Sequence, residues 1–165
     1  MNSSNNNLIH AQSRENINDF SPLLLLVESN RAVATMLQET FVAWGYHVWV
    51  VDNGHEGLDV VSRHTVDVIL LDMHTPMMDG RTMLDELRWA GYHMPVWVMS
   101  GGSDIHMLRQ LLQEGAQGFL VKPFHPHTLQ EACAEIFYRV GRHKKYNAQH
   151  PSTAIHATRA RQHSS

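Results

Sequence analysis

Five short apolar runs alternate with stretches of helical periodicity, and this alternation is the strongest constraint on the fold. The runs are Leu23–Val27, His47–Val51, Val66–Leu71, Val96–Met99 and Gly118–Val121. Between the first two, Val33, Met36, Leu37, Phe41 and Trp44 recur at the three-to-four spacing of one helix face, and Gly45 ends that helix. Helices are expected over His55–His64, Gly80–Ala90 and Asp104–Glu114, the last stopped by Gly115. A final one runs from about His127 to Val140, with Leu129, Ala132, Cys133, Ile136, Phe137 and Val140 on one side. Strand-then-helix units in series predict a parallel sheet covered by helices on both faces. Near-continuous Leu, Val and Ile runs fit strands buried on both sides.

Composition sets the limits of this domain. Residues 1–20 hold six Asn and little that could pack, and read as a disordered leader. Residues 21–140 carry the periodicity. Residues 141–165 contain no acidic side chain and five basic ones (Arg142, Lys144, Lys145, Arg159, Arg161), and read as a flexible basic tail. A net charge of −3 excludes a uniformly basic nucleic-acid coat, and the tail has too few charges and aromatics to favour a nucleic-acid role. The longest apolar run is too short to cross a bilayer, so no membrane role is expected. A single cysteine, Cys133, cannot form an internal disulfide and points to a reducing, cytoplasmic compartment.

In open parallel sheets, ligands bind at the carboxyl ends of the strands. Here those ends carry Glu28, Ser29 and Asn30 after the first run, Asp72 after the third, Ser100 with Gly101 and Gly102 after the fourth, and Lys122 with Pro123 after the fifth. Two carboxylates, a hydroxyl and an ammonium therefore converge on one rim. Asp72 is a candidate nucleophile, Glu28 a candidate metal ligand, and Ser100 and Lys122 candidate donors to an anion. No zinc spacing is present among the histidines. Gly101-Gly102 lacks the Lys-Ser/Thr of a nucleotide phosphate loop.

Four segments carry a resemblance to a known family. They are Leu24-Leu25-Leu26-Val27-Glu28-Ser29-Asn30, Leu71-Asp72-Met73-His74-Thr75-Pro76-Met77-Met78-Asp79-Gly80, Val98-Met99-Ser100-Gly101 and Gly118-Phe119-Leu120-Val121-Lys122-Pro123-Phe124. In order and spacing, over about residues 21–140, the chain resembles the receiver domains of bacterial two-component response regulators. The resemblance implies a flavodoxin-like, doubly wound, five-stranded parallel sheet in the order 2-1-3-4-5 with five helices. It also implies a phosphoryl group accepted on Asp72 from a sensor histidine kinase or phosphotransfer protein. Lys122 would pair with the phosphoryl oxygens, Ser100 would hydrogen-bond them, and Phe119 would turn inward as that hydroxyl moves. Magnesium would sit beside Asp72, held by Glu28, Asp72 and the His74 backbone carbonyl. A cis Lys122–Pro123 peptide is implied as well, as is an output face for a downstream protein on the fourth helix, fifth strand and fifth helix.

The departure lies at Ser29. The family usually has two acids after the first strand, and the second, which contacts magnesium, is replaced here by a neutral hydroxyl. Magnesium binding at Ser29 should be weak or lost. The expected function is a stand-alone receiver that signals by protein contact. Its catalysis is limited to its own phosphorylation and aspartyl-phosphate hydrolysis. The alternatives are a phosphorylation-independent, receiver-like adaptor and a receiver segment of a hybrid kinase.

Overall fold

The computed structural model describes residues 21–102 and 104–149. The expected leader and residues 150–165 of the expected tail lie outside them. Five strands alternate with five helices: β1 (Leu23–Val27), α1 (Arg31–Ala43), β2 (His47–Val51), α2 (Gly54–Arg63), β3 (Val68–Asp72), α3 (Gly80–Trp89), β4 (Val96–Ser100), α4 (Ile105–Gln113), β5 (Gly118–Val121) and α5 (Pro126–Gln149). All strand pairs are parallel, in the order β2-β1-β3-β4-β5. This is the flavodoxin-like arrangement.

Alternate side chains of each central strand feed two separate cores, as the period-two geometry of a strand requires. Leu24, Leu26, Val68, Leu70, Trp97 and Met99 pack with Leu37 and Phe41 of α1 and with Leu129, Cys133 and Ile136 of α5. Leu25, Val27, Ile69, Leu71, Val96 and Val98 pack with α2, α3 and α4 through Val60, Val61, Met83, Leu84, Leu87 and Leu111. Helices α1 and α5 thus cover one face and α2, α3 and α4 the other. The strands β3 and β4 are buried along their length, and β1 is buried except at Leu23. In β2, His47 and Trp49 are exposed, because an edge strand is only partly covered by the helical layers.

Several boundaries differ from the sequence reading. The third strand starts at Val68 rather than Val66: the Asp67 carboxylate accepts a hydrogen bond from the Leu23 amide (2.8 Å), and the ladder begins after it. The third and fourth strands each extend by one residue, to Asp72 and Ser100. The fifth helix continues past Val140 to Gln149 and so enters the segment read as a tail.

Local chemistry fixes the helix starts at the carboxyl rim of the sheet. Asn30, Asn53, Asp79 and Asp104 are the N-caps of α1 to α4, each accepting from one or two backbone amides of the first turn. For Asp79, the hydrogen bond from the Thr82 amide is the main reason its carboxyl is held below the usual range. At the opposite end, Arg88 ties the α4–β5 turn to α3. Its guanidinium donates to the carbonyls of Gly115, Tyr92 and Met94, and burial pulls it below the usual arginine range.

Candidate functional site: an acidic pocket spanned by one ammonium

Strand register assembles the pocket. Val27 is paired with Leu71, Asp72 with Met99, and Ser100 with Val121. The residues at or just beyond these pairs, Glu28, Asp72, Ser100 and Lys122, therefore share the carboxyl rim on either side of the β1–β3 switch point. Glu28 and Asp72 are 2% and 4% exposed. Two carboxylates this dry are stable only if paired.

Lys122 supplies the pairing. Its Nζ lies 2.6 Å from Glu28 Oε2 and 3.1 Å from Asp72 Oδ2, so one ammonium spans both acids. Burial alone would lower its pKa, but its hydrogen bonds to Glu28 and Asp72 outweigh that, and the net displacement is upward. The remaining carboxylate oxygens are held by backbone. Glu28 Oε1 accepts from the Asn30 amide (2.8 Å), and Asp72 Oδ1 from the His74 amide (3.2 Å). The two acids and one ammonium leave a formal charge of −1. The pocket has one fixed counter-charge already facing the candidate nucleophile.

The other expected residues fall around this centre. The Ser100 hydroxyl, 1% exposed, accepts from the Gly102 amide at 3.2 Å and so closes the turn after β4. Phe119 is half-buried against the α2–α3–α4 core. The side chains of His74 and Ser29 are exposed. The Lys122–Pro123 peptide is cis. Sequence reasoning missed Gly80, where an added Cβ would stand 2.5 Å from the Asp72 carbonyl oxygen. The start of α3 thus lies directly against the Asp72 backbone. The Asp79-Gly80 dipeptide, a cap followed by a residue with no side chain, is the signal that could have revealed it.

A profile of the response regulator receiver domain matches residues 24–134. The chain belongs to this receiver family. It is similar to the cell cycle transcriptional regulator CtrA of Caulobacter vibrioides, with 34% identity over 126 residues, covering 76% of this chain and 53% of CtrA. It is also similar to the response regulator protein FleR of Pseudomonas aeruginosa, with 31% identity over 67% of this chain and 24% of FleR. The receiver therefore spans about half or less of the length of these relatives. Among solved structures, chemotaxis response regulator CheY4 of Vibrio cholerae superposes with a TM-score of 0.66 at 25% identity, covering 70% of this chain and 98% of that one. The receiver domain of the Francisella response regulator 1452 gives 0.69 at 24% identity, over 74% and 98% of the two chains.

Receivers of this family generally bind magnesium, and the residues present can be tested against that ion. Magnesium takes oxygen ligands in near-octahedral array, with one or two carboxylates and several waters. Among the described residues, no three His, Cys, Asp or Glu side chains gather to hold a metal. Glu28 has both oxygens engaged, Asp72 shares Lys122, and Ser29 is an exposed neutral hydroxyl. This donor set does not fit a preformed magnesium site.

Proposed function

We propose that this receiver accepts a phosphoryl group on Asp72 from a phosphohistidine of a sensor histidine kinase or phosphotransfer protein, and signals by protein contact. The observation that carries this reading is the Lys122 ammonium, 3.1 Å from a buried, strand-terminal carboxylate. A carboxylate attacking a phosphoryl group meets like-charge repulsion, which a cation at the reacting oxygens must offset. As the new oxygen–phosphorus bond forms, the phosphorus–nitrogen bond of the donor breaks, and the imidazole departs with its electron pair. Lys122 stands where it can hold the incoming oxygens, exchanging part of its contact with Glu28 for them. The Ser100 hydroxyl and Phe119 are the inferred switch pair. The exposed Ile105 and Leu112 of α4, Val121 of β5 and Tyr138 of α5 support an output face on those elements.

A second reading is favoured by Ser29 and by the full engagement of Glu28. In it the chain is a receiver-like adaptor that docks without phosphorylation, its magnesium affinity too low for turnover. One experiment separates the two. The chain is incubated with acetyl phosphate and magnesium and its intact mass is measured. One added phosphoryl group on the unmodified chain, and none on Asp72→Asn, is the expected result. Labelling that persists in Asp72→Asn overturns the acceptor assignment, and no labelling of either chain supports the adaptor.

A further inference from the structure

Met77 is the apex of a loop anchored at both ends on the acceptor. The loop leaves β3 at Asp72 and returns at Gly80, whose amide donates to the Met73 carbonyl at 3.2 Å and where an added Cβ would meet the Asp72 carbonyl oxygen. Within it, the buried Thr75 hydroxyl donates to the Met78 carbonyl (2.7 Å), and the Met78 amide donates to the Pro76 carbonyl (2.7 Å). The second bond closes a three-residue turn around Met77, which has φ +64. Among the described residues it is the one non-glycine at positive φ. Turns of this hand are rare and strained, and Gly or Asn fills such a position with less penalty than a long side chain. Met78 beside it is tucked inward, close to Gly54. Met77 points out and is 81% exposed. The fold thus holds Met77 in a costly conformation and gains almost no packing from it. Strain without packing benefit, next to a reacting group, points to use by something outside the chain.

The acceptor geometry says what that is. Asp72 is 4% exposed, so a protein delivering a phosphoryl group must seat its surface on the rim around it. The loop that leaves β3 at Asp72 and carries the exposed Met77 is part of that rim. Two further apolar side chains stand exposed at the rim, Ile105 opening α4 and Val121 ending β5. A thioether side chain is flexible and polarisable, suited to filling a recess on a partner. We propose that Met77 is a specificity-determining contact for the protein phosphodonor, a phosphohistidine protein whose surface around that histidine is apolar. The proposal rests on Asp72 being the acceptor.

The test compares a small donor, which needs no docking surface, with a protein donor. Met77→Gly and Met77→Asn both suit the positive φ and remove the thioether, and Met77→Leu keeps an apolar side chain. The small donor is acetyl phosphate. The protein donor is the phosphohistidine-loaded phosphotransfer domain that labels the unmodified chain fastest among a purified panel. Labelling by acetyl phosphate should stay within about twofold in all three variants. Transfer from the protein donor should fall about tenfold or more in the Gly and Asn variants, through a raised KM at unchanged maximal rate, and recover in Met77→Leu. Equal transfer by both donors to all variants overturns the proposal. So does equal loss with both donors, which would make Met77 a support of the pocket, and so does labelling of the unmodified chain by acetyl phosphate but by no protein donor. Labelling of Asp72→Asn, or of no chain by either donor, marks failure of the acceptor reading instead.

Discussion

Replacing Lys122 by Met keeps the length of the side chain and removes the one ammonium between Glu28 and Asp72. At separations of 2.6 and 3.1 Å, the gross attractions are about 6 and about 5 kcal/mol at an effective dielectric near 20. Much of this is offset by the desolvation that Lys122 no longer suffers. Breaking a buried pair from one side typically costs about 3–5 kcal/mol, because the remaining charge stays buried without compensation. Two carboxylates are left here, so the upper half of that range is expected at pH 7.5. Urea unfolding followed by tryptophan fluorescence measures it. The double variant Glu28→Gln, Lys122→Met removes one of the stranded acids and should recover roughly half the loss, a coupling of about 2 kcal/mol between neighbours. Glu28→Gln alone should cost little, since Lys122 retains Asp72 and the Asn30 amide retains an acceptor. A Lys122→Met loss below about 1 kcal/mol, or strict additivity in the cycle, would show that solvent rather than Lys122 neutralises the pocket.

Three further outcomes are expected. Gly80→Ala sets a Cβ against the backbone of Asp72 and Met73, which cannot turn away. It should lose about 1–3 kcal/mol by urea unfolding and slow acetyl phosphate labelling, and unchanged values for both would refute the close approach. Ser29→Asp restores a third acid and should tighten magnesium binding about tenfold or more by titration calorimetry, and equal affinity in the two chains would mean that Glu28 already serves. Burial pushes the Cys133 thiol up to about 12 from 9.0, so the unfolded chain ionises first and stability falls as pH rises from about 9 to about 12. Cys133→Ala should flatten that fall, and the native thiol should resist an aromatic disulfide reagent at pH 8; rapid reaction would place it outside the core.

Periodicity reads local neighbours, and the parts of the molecule that depend on local neighbours were legible in it. Leu23–Val27 and Val96–Met99 are apolar because helices lie on both sides, and Leu37, Phe41, Leu129 and Ile136 fall on the buried helix faces expected for them. The strand order and the cis Lys122–Pro123 bond came from family resemblance, since no apolar run says which strand it pairs with. The exposure of Trp49 was hidden, because His47–Val51 is as apolar as a central strand and only topology makes it an edge. The last helix runs beyond the Val140 end expected for it, through Gly141. A helix tolerates one glycine at a cost of about 1 kcal/mol, and the Lys, Ala and Gln that follow are good helix formers. At the site, Glu28, Asp72 and Lys122 could be gathered onto one rim from sequence. The pairing of Lys122 with Glu28 could not, since it joins residues 94 positions apart. The strained turn at Met77 was equally silent, because Pro76-Met77 lacks the Gly or Asn that marks positive φ.

That long-range pairing has a consequence for the chain as it is made. Glu28 and Asp72 belong to the sheet's interior, whereas Lys122 arrives only with β5, a four-residue strand at the edge. Until β5 has been laid on β4, the rim holds two adjacent negative charges with nothing between them, and the β1–β3 pair works against its own repulsion. The last strand acts as a latch that closes the sheet and discharges the pocket in one movement. A nascent or clipped chain ending before residue 122 carries an electrostatic fault at its centre in addition to a missing edge. Fraying of β5 in the finished protein would withdraw the cation from Asp72 and lift Leu120 out of the core together. On the proposed reading, phosphoryl uptake is tied to an edge strand of the sheet, and amide exchange along Gly118–Val121 should set the pace at which it is lost.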